Sequence, residues 1–167
     1  MVERSNGVIR LEIPGFGMRE ITRVVSDYTG THAFAGTLRD GVRTRLVRLA
    51  ELLEVHILTS DTFGTARSEL EELPLTLHLL DGERHDEQKR DYVLAREPQR
   101  VAAFGNGNND RLLLKTVRDA GGLAIAVDNG EGCALDTILA AHLVVHGSEN
   151  ALDLLLDGNR CKATLRF

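Results

Sequence analysis

Short apolar runs alternate with longer segments of helical periodicity along most of the chain. Runs that are continuously apolar or that alternate with period two predict strands at 8–13, 21–27, 55–60, 75–80, 100–105, 123–127 and 143–147. The segments between them predict helices at about 42–53, 62–72, 85–96, 109–119, 131–140 and 148–156, with apolar positions at helical spacing in 42–53 and mixed charge in 85–96. Because Pro14 and Gly15 interrupt the pattern between the first two strands, these strands are expected to pair as an N-terminal hairpin.

This order of elements predicts an α/β fold of three layers, in which helices cover both faces of a mostly parallel sheet. The length of 167 residues suits a single domain over 1–167. Its core must be aliphatic, because the chain has no Trp and only 4% aromatic residues. Residues 31–41 predict a short flap. The segments from Asp27 to Thr59 and from Thr59 to Lys89 are too short for a large cap domain.

Composition argues against several partners and compartments. The net charge of −5 gives no general attraction to nucleic acid or to an anionic membrane. The apolar runs are shorter than the ~20 residues of a membrane span, and the polar start MVERSNG does not resemble a signal peptide. Cys133 and Cys161 lack the spacing of metal ligands, and we expect two buried free thiols. A cytoplasmic protein is the expectation.

Polar residues follow several predicted strands directly. In parallel α/β sheets the ligand site lies at the carboxyl ends of the strands, where Asp27, Thr59, Ser60 and the turn GNGNND (105–110) all fall. Asp27 has two interpretations, an ordinary turn residue or a nucleophilic or metal-binding carboxylate with Gly30 beside it for close phosphate approach. Thr59 and Ser60 are either phosphate-binding hydroxyls near a helix N-terminus or a plain helix cap.

Four motifs in order resemble the haloacid dehalogenase-like superfamily, and specifically its P-type ATPase branch. They are DYTGT at Asp27, LTSD at Thr59, QKRDYV with Lys89, and FGNGNND before the helix at 109–119. The resemblance covers about residues 20–145. It implies the Rossmann-like core of that superfamily, without the membrane spans of an ion pump.

The resemblance also implies a mechanism. Asp27 would attack phosphorus and form an aspartyl-phosphate that water hydrolyses, and Mg²⁺ would bridge Asp27, the Thr29 carbonyl oxygen and the phosphate. Thr59, with Ser60 as helper, would donate to a phosphoryl oxygen. The remaining roles would fall to Lys89 as the cation (Lys115 is the rival), Asn109 as a phosphate contact, and Asp110 as the group that orients Lys89 or a metal-bound water.

Two positions depart from the superfamily pattern. Thr29 replaces the aspartate that acts as general acid and base in typical phosphatases, and such catalysis is worth about 10²–10⁴-fold. Slow turnover with a lingering aspartyl-phosphate is therefore expected. Asn106 replaces a metal-binding aspartate; its amide oxygen remains a ligand but lacks the charge that a hard cation favours. The site is expected to be weakened rather than inactive.

The function expected from this sequence is a magnesium-dependent phosphatase acting on a small phosphorylated substrate. The alternatives are a regulatory or phosphate-binding protein with little turnover, which Thr29 and Asn106 favour, and an ATPase-like phosphotransferase, for which no nucleotide pocket is visible. A homo-oligomer is a further expectation, because an uncapped site can be closed by a neighbouring subunit. Most of the six histidines are expected to be structural, although His32 could face the site.

Overall fold

A computed structural model describes residues 2–5 and 7–167, with only the backbone described for 2–5. A six-stranded sheet forms the centre, with strand order β11-β10-β9-β4-β7-β8. All of its neighbouring strands pair in parallel. Its strands are β4 (Arg23–Asp27), β7 (Glu54–Thr59), β8 (Thr76–Leu79), β9 (Val101–Gly105), β10 (Leu123–Asp128) and β11 (Leu143–His146). The predicted parallel sheet is confirmed.

Helices follow the strands in the alternation that the sequence predicts. They are α1 (Asp40–Ala50), α2 (Ala66–Leu70), α3 (His85–Leu94), α4 (Arg111–Ala120), α5 (Leu135–Ala140) and α6 (Ser148–Leu156), with short 3₁₀ turns at Pro98–Arg100 and Asn108–Asp110. A further helix, α7 (Gly158–Leu165), begins where the Asp157 side chain accepts the N–H of Asn159. The sequence pattern did not predict α7.

The central sheet is buried on both faces. One apolar cluster contains Val24, Ile57, Phe104 and Ile125 together with α1 and α6, and a second contains Val25, Leu58, Ala103 and Ala124 together with α4. Two packed faces explain why these strands are continuously apolar rather than alternating. The three-layer α/β class with a Rossmann-like parallel sheet is therefore confirmed.

The predicted N-terminal hairpin was wrong in its second strand. β2 (Val8–Ile13) pairs with a separate strand, β3 (Gly17–Ile21), and with β1 (Val2–Ser5) in a three-stranded antiparallel sheet. A tight turn joins β2 to β3, and in it the N–H of Phe16 donates to the Ile13 carbonyl oxygen. At Thr22 the backbone bonds to the Arg100 carbonyl instead, which transfers the chain into β4.

A small hairpin lies between β4 and α1, within the predicted flap. Its strands are β5 (Ala33–Phe34) and β6 (Thr37–Leu38), and they pair antiparallel. Ala33 and Leu38 are buried while Phe34 is exposed, so one side of this hairpin packs on the core. We use the name flap for residues 31–39.

Two further expectations concern the free thiols and the absence of membrane-spanning segments. Both thiols are free; Cys161 is buried as expected, whereas Cys133 is only half-buried. Burial raises the pKa of Cys161 to about 12. Within the described part of the chain, no helix combines the length and apolar character that crossing a bilayer requires.

Candidate active site

Three neighbouring strands bring the predicted residues to one edge of the sheet. Asp27 ends β4, Thr59 ends β7 and Gly105 ends β9, and β4 lies between the other two. Parallel strands place their carboxyl ends at the same edge. The structure therefore assembles the first, second and fourth motifs beside one another, and α3 adds the lysine of the third.

A buried ion triad forms the centre of the site. The Lys89 ammonium lies 2.7 Å from Asp27 Oδ1 and 2.6 Å from Asp110 Oδ1. The side chains are only 1%, 7% and 0% exposed for Lys89, Asp27 and Asp110. Charges this deeply buried require close partners, and each of the three has one.

Burial and charge shift the acidity of this triad in opposite directions. Desolvation and the nearby Asp110 carboxylate raise the pKa of Asp27 to about 6, against the lowering effect of Lys89. Burial alone would lower the pKa of Lys89, but the Asp110 and Asp27 carboxylates raise it above its usual range. Lys89 is therefore a fixed positive charge, while Asp27 titrates close to neutrality.

Asp110 also holds the Gly/Asn-rich turn in place. Its Oδ2 accepts the backbone N–H groups of Asn106 and Gly107 at 2.9 and 3.0 Å. A Cβ at Gly105 would meet the Asp110 side chain at 2.4 Å, so the turn passes this carboxylate without room for a side chain. Asp110 thus links the turn to Lys89, which supports the predicted orienting role.

Thr31 is a site residue that the sequence analysis missed. Its hydroxyl lies 3.0 Å from Asp27 Oδ2 and 3.1 Å from Asn106 Oδ1, so its single proton can be donated to either oxygen. Gly30 has a φ of +80°, and a Cβ there would lie 2.5 Å from Asn106 Nδ2. The position of Thr31 at the end of DYTGT is the one signal that could have singled it out.

The second motif presents one buried hydroxyl and one exposed hydroxyl. Thr59 is 2% exposed, and its Oγ1 accepts the N–H of Asp61 at 3.0 Å. Ser60 is exposed and lies 3.1 Å from the hydroxyl of Thr62. The helix predicted from about 62 begins only at Ala66, whose N–H is capped by Asp61 Oδ1. The expectation that a helix N-terminus directly follows Thr59 was therefore wrong.

The remaining predicted residues lie around this centre. Thr29 is half-buried and forms a bridge with Ala33, and Asn109 is exposed on the 3₁₀ turn. The rival cation Lys115 is exposed on α4 and pairs with Asp119. Lys115 is therefore not part of the triad. Apart from the exposed Asp91 and Leu94, the residues of α3 are at least half-buried.

His32 contacts the residue before Asp27 rather than the Asp27 carboxylate. It is 1% exposed, and its Nε2 lies 2.8 Å from the hydroxyl of Ser26. Burial lowers the pKa of His32 to about 3, which keeps the imidazole neutral at physiological pH. The contact with Ser26, which directly precedes Asp27, makes His32 part of the support for the end of β4.

The oxygen atoms around Asp27 fit a hard divalent cation. Asp27 Oδ2 and Asn106 Oδ1 converge on the Thr31 hydroxyl, and oxygen donors are what Mg²⁺ prefers. Within the described residues, no group of three or more His, Cys, Asp or Glu is arranged to hold a metal. A cation here would therefore depend on one carboxylate, with amide and backbone oxygens completing the set.

Solved structures place this arrangement in a known fold. The chain resembles a haloacid dehalogenase-like hydrolase from Bacillus subtilis, with a TM-score of 0.51 and 11% identity over 94% of this chain and 91% of that one. It also resembles the cobalt-bound deoxy-D-mannose-octulosonate 8-phosphate phosphatase of Haemophilus influenzae, with a TM-score of 0.59 and 17% identity over 88% and 94%. The chain has the haloacid dehalogenase-like fold, as its motifs led us to expect.

A third similar structure contains magnesium, phosphate and a sugar acid. The 3-deoxy-D-manno-octulosonate 8-phosphate phosphatase of Moraxella catarrhalis, in complex with magnesium, phosphate and the sugar acid, matches with a TM-score of 0.58 and 16% identity over 86% of this chain and 90% of that one. At such identities the likeness establishes the fold.

Sequence comparison gives a nearer relative. No family model matches the chain. The uncharacterized protein MJ0073 of Methanocaldococcus jannaschii is 48% identical over 68 residues, which are 41% of this chain and 69% of that protein. The chain belongs to the same family as this archaeal protein.

Proposed function

We propose that the chain is a magnesium-dependent phosphomonoesterase that works slowly through an aspartyl-phosphate on Asp27. The observation that carries this proposal is the Asp27 carboxylate at a strand end, contacted by the Lys89 ammonium on one oxygen and by the Thr31 hydroxyl on the other. The fold shared with phosphatases supports the same reaction class.

Asp27 is suited to act as the nucleophile. With a pKa of about 6 it is mostly ionised at neutral pH. One of its oxygens attacks phosphorus, the bond to the leaving oxygen breaks, and the phosphoryl group passes to the carboxylate. The positive charge of Lys89 offsets the negative charge that collects around the transferred group.

The surrounding groups hold the phosphoryl oxygens and the cation. Thr59 Oγ1 already accepts the N–H of Asp61, so its own proton is available to a phosphoryl oxygen; Gly30, Ser60 and Asn109 are further candidates for this contact. Mg²⁺ would be held by the Asp27 carboxylate, the Thr29 carbonyl oxygen and Asn106 Oδ1. When bound, it supplies charge neutralisation between the anionic nucleophile and the phosphate.

Thr29 makes slow turnover the expected behaviour. A threonine hydroxyl does not exchange protons near neutral pH as a carboxyl group does, so neither the leaving group nor the attacking water receives general acid–base help at this position. A second function, phosphate binding with little hydrolysis, is favoured by the same residue and by Asn106. The two functions differ in whether inorganic phosphate is released.

A substrate screen tests the proposal. The full chain is incubated with Mg²⁺ and a panel of phosphorylated metabolites, including sugar-acid phosphates of the kind that the neighbouring phosphatases are named for, with p-nitrophenyl phosphate as a generic ester. We expect phosphate release that is lost in Asp27→Asn and retained in Lys115→Gln. Tight phosphate or beryllofluoride binding without release from any ester would favour the binding protein instead.

Two further proposals concern location and assembly. Two free thiols are compatible with a reducing compartment such as the cytoplasm. A homo-oligomer is proposed because a site without a large cap domain can be closed by a neighbouring subunit, and light scattering that gives a monomer would remove that proposal.

A further inference from the structure

The chain turns sharply at Asp61, the last residue of the second motif. Asp61 has a φ of +53°, which lies in the left-handed region that few residues other than glycine adopt. Aspartate tolerates this region better than most side chains, but the conformation still needs contacts that hold it. Those contacts also fix the segment that directly follows Thr59.

Three polar groups of Asp61 make hydrogen bonds, and they link both ends of the turn. The N–H donates to Thr59 Oγ1 at 3.0 Å. The carbonyl oxygen accepts the N–H of Gly64 and Oδ1 accepts the N–H of Ala66, both at 2.8 Å. Ala66 is completely buried at the start of α2. The Asp61 side chain therefore anchors the turn to a fixed point of the core.

The left-handed conformation determines the direction of the Asp61 N–H. This N–H lies in the peptide plane shared with Ser60, and φ sets the angle between that plane and the chain that continues into α2. Because Ala66 and Leu70 anchor α2 in the core, a change to a negative φ would rotate the peptide plane rather than the helix. The N–H would then point away from Thr59 Oγ1.

The hydrogen bond from Asp61 restrains the hydroxyl of Thr59. A threonine hydroxyl has one proton and two acceptor lone pairs, and the Asp61 N–H occupies one of these lone pairs. Thr59 is 2% exposed and ends β7, which pairs with the strand that ends in Asp27. A restrained oxygen on a buried side chain keeps the hydroxyl proton available on the side of the phosphoryl site.

We propose that Asp61 is a positioning residue, which acts through Thr59 by holding its hydroxyl toward the transferred phosphoryl group. This rests on the proposed function, in which Thr59 contacts a phosphoryl oxygen. The Asp61 carboxylate contacts the start of α2, so its charge is not needed for the role. Asparagine therefore suffices at this position, because it tolerates a positive φ and its amide oxygen accepts an N–H. Alanine has neither property.

Variants of equal charge test the role of Asp61. Asp61→Asn and Asp61→Ala both remove one negative charge. In calorimetry with Mg²⁺ and inorganic phosphate, we expect the dissociation constant to rise about tenfold in Asp61→Ala, as for a lost hydrogen bond to a charged group, but less than about twofold in Asp61→Asn. Asp157→Ala is the control, because Asp157 also accepts a backbone N–H at a helix start, that of Asn159. It should lower stability and leave phosphate affinity unchanged.

Two further measurements separate positioning from a merely structural role. In a Thr59→Val background, Asp61→Ala should cause no further loss of phosphate affinity, because residues that act through one group give non-additive effects. NMR couplings of the Thr59 side chain, recorded without phosphate, should show a single rotamer in the wild type and in Asp61→Asn. In Asp61→Ala they should show averaging between rotamers.

Three results would overturn the proposal while leaving the proposed function intact. One is equal phosphate affinity of Asp61→Ala and Asp61→Asn. Another is a tenfold loss that persists in the Thr59→Val background, and the third is a Thr59 rotamer that Asp61→Ala does not change. A wild-type chain that binds no phosphate would overturn both proposals, because Thr59 would then have no phosphoryl group to contact.

Discussion

Replacing Lys89 by methionine removes the one ammonium between two buried carboxylates. Lys89 is 1% exposed and lies 2.7 and 2.6 Å from Asp27 and Asp110. Breaking a buried ion pair by deleting one partner costs about 3–5 kcal/mol, because the other charge stays buried without compensation. We expect Lys89→Met to lower the free energy of unfolding at pH 8 by that amount and to abolish any phosphatase activity.

The loss should depend on pH with a definite sign. The pKa of Asp27 is already raised to about 6 in the folded protein, and without Lys89 it should rise further. A carboxyl whose pKa is higher folded than unfolded binds protons preferentially in the folded state, so stability increases as pH falls and is lost as pH rises through the folded pKa. The raised pKa of Lys89 itself keeps it charged from pH 5 to 8. The deficit of Lys89→Met should therefore be smaller at pH 5 than at pH 8.

Urea unfolding followed by circular dichroism at both pH values, in EDTA, measures this prediction. Lys115→Met is the control, because Lys115 is an exposed surface lysine that also pairs with an aspartate and should matter little. The double variant Lys89→Met/Asp110→Asn should recover part of the loss by removing one of the two carboxylate charges. A deficit that is equal at pH 5 and pH 8, or no larger than that of Lys115→Met, would refute the triad as described.

Three further predictions concern the surroundings of Asp27. In urea unfolding, Gly30→Ala should destabilise the fold by about 1–3 kcal/mol more than Gly82→Ala. Both glycines have a positive φ, but only at Gly30 would the added Cβ contact the Asn106 side chain. Equal losses would contradict this close approach. Because the pKa of His32 is lowered to about 3, the neutral imidazole stabilises the fold above pH 6.5, and this stabilisation falls by about 2 kcal/mol by pH 5. In urea unfolding, His32→Gln should therefore reduce the fall in stability between pH 7 and pH 5 by that amount. The control His146→Gln, which changes a side chain that is 80% exposed, should not. Asn106→Asp should tighten Mg²⁺ binding about tenfold in calorimetry through the added charge, and no gain would mean that Asn106 is not a ligand.

The order of strands and helices was predictable because the central strands are buried on both faces. Runs such as LAIAV at 123–127 are fully buried in β10, so their apolar character does not depend on which residue faces which layer. The polar residues at the ends of β4, β7 and β9 were predictable for a related reason, since parallel strands must end at one edge.

The errors arose where a single contact decides the structure. Nothing in the run ITRVVSD shows that Thr22 leaves one sheet for another, because the break depends on a backbone bond to Arg100, far along the chain. The late start of α2 follows from the Asp61 side chain capping Ala66.

Thr31 shows the same limit from the functional side. The role of Thr31 becomes visible only when β4 and the turn after β9 bring Asp27 and Asn106 to its hydroxyl.

The central claim is that the carboxylate of Asp27 carries the phosphoryl group. Its most direct test is acid quenching of the enzyme during turnover with Mg²⁺ and an active ester, followed by peptide mass spectrometry. The account predicts a phosphate on the peptide that contains Asp27, absent in Asp27→Asn and lasting long enough to detect because Thr29 gives no acid–base help. Steady hydrolysis that persists in Asp27→Asn, or phosphate found on another residue, would contradict it.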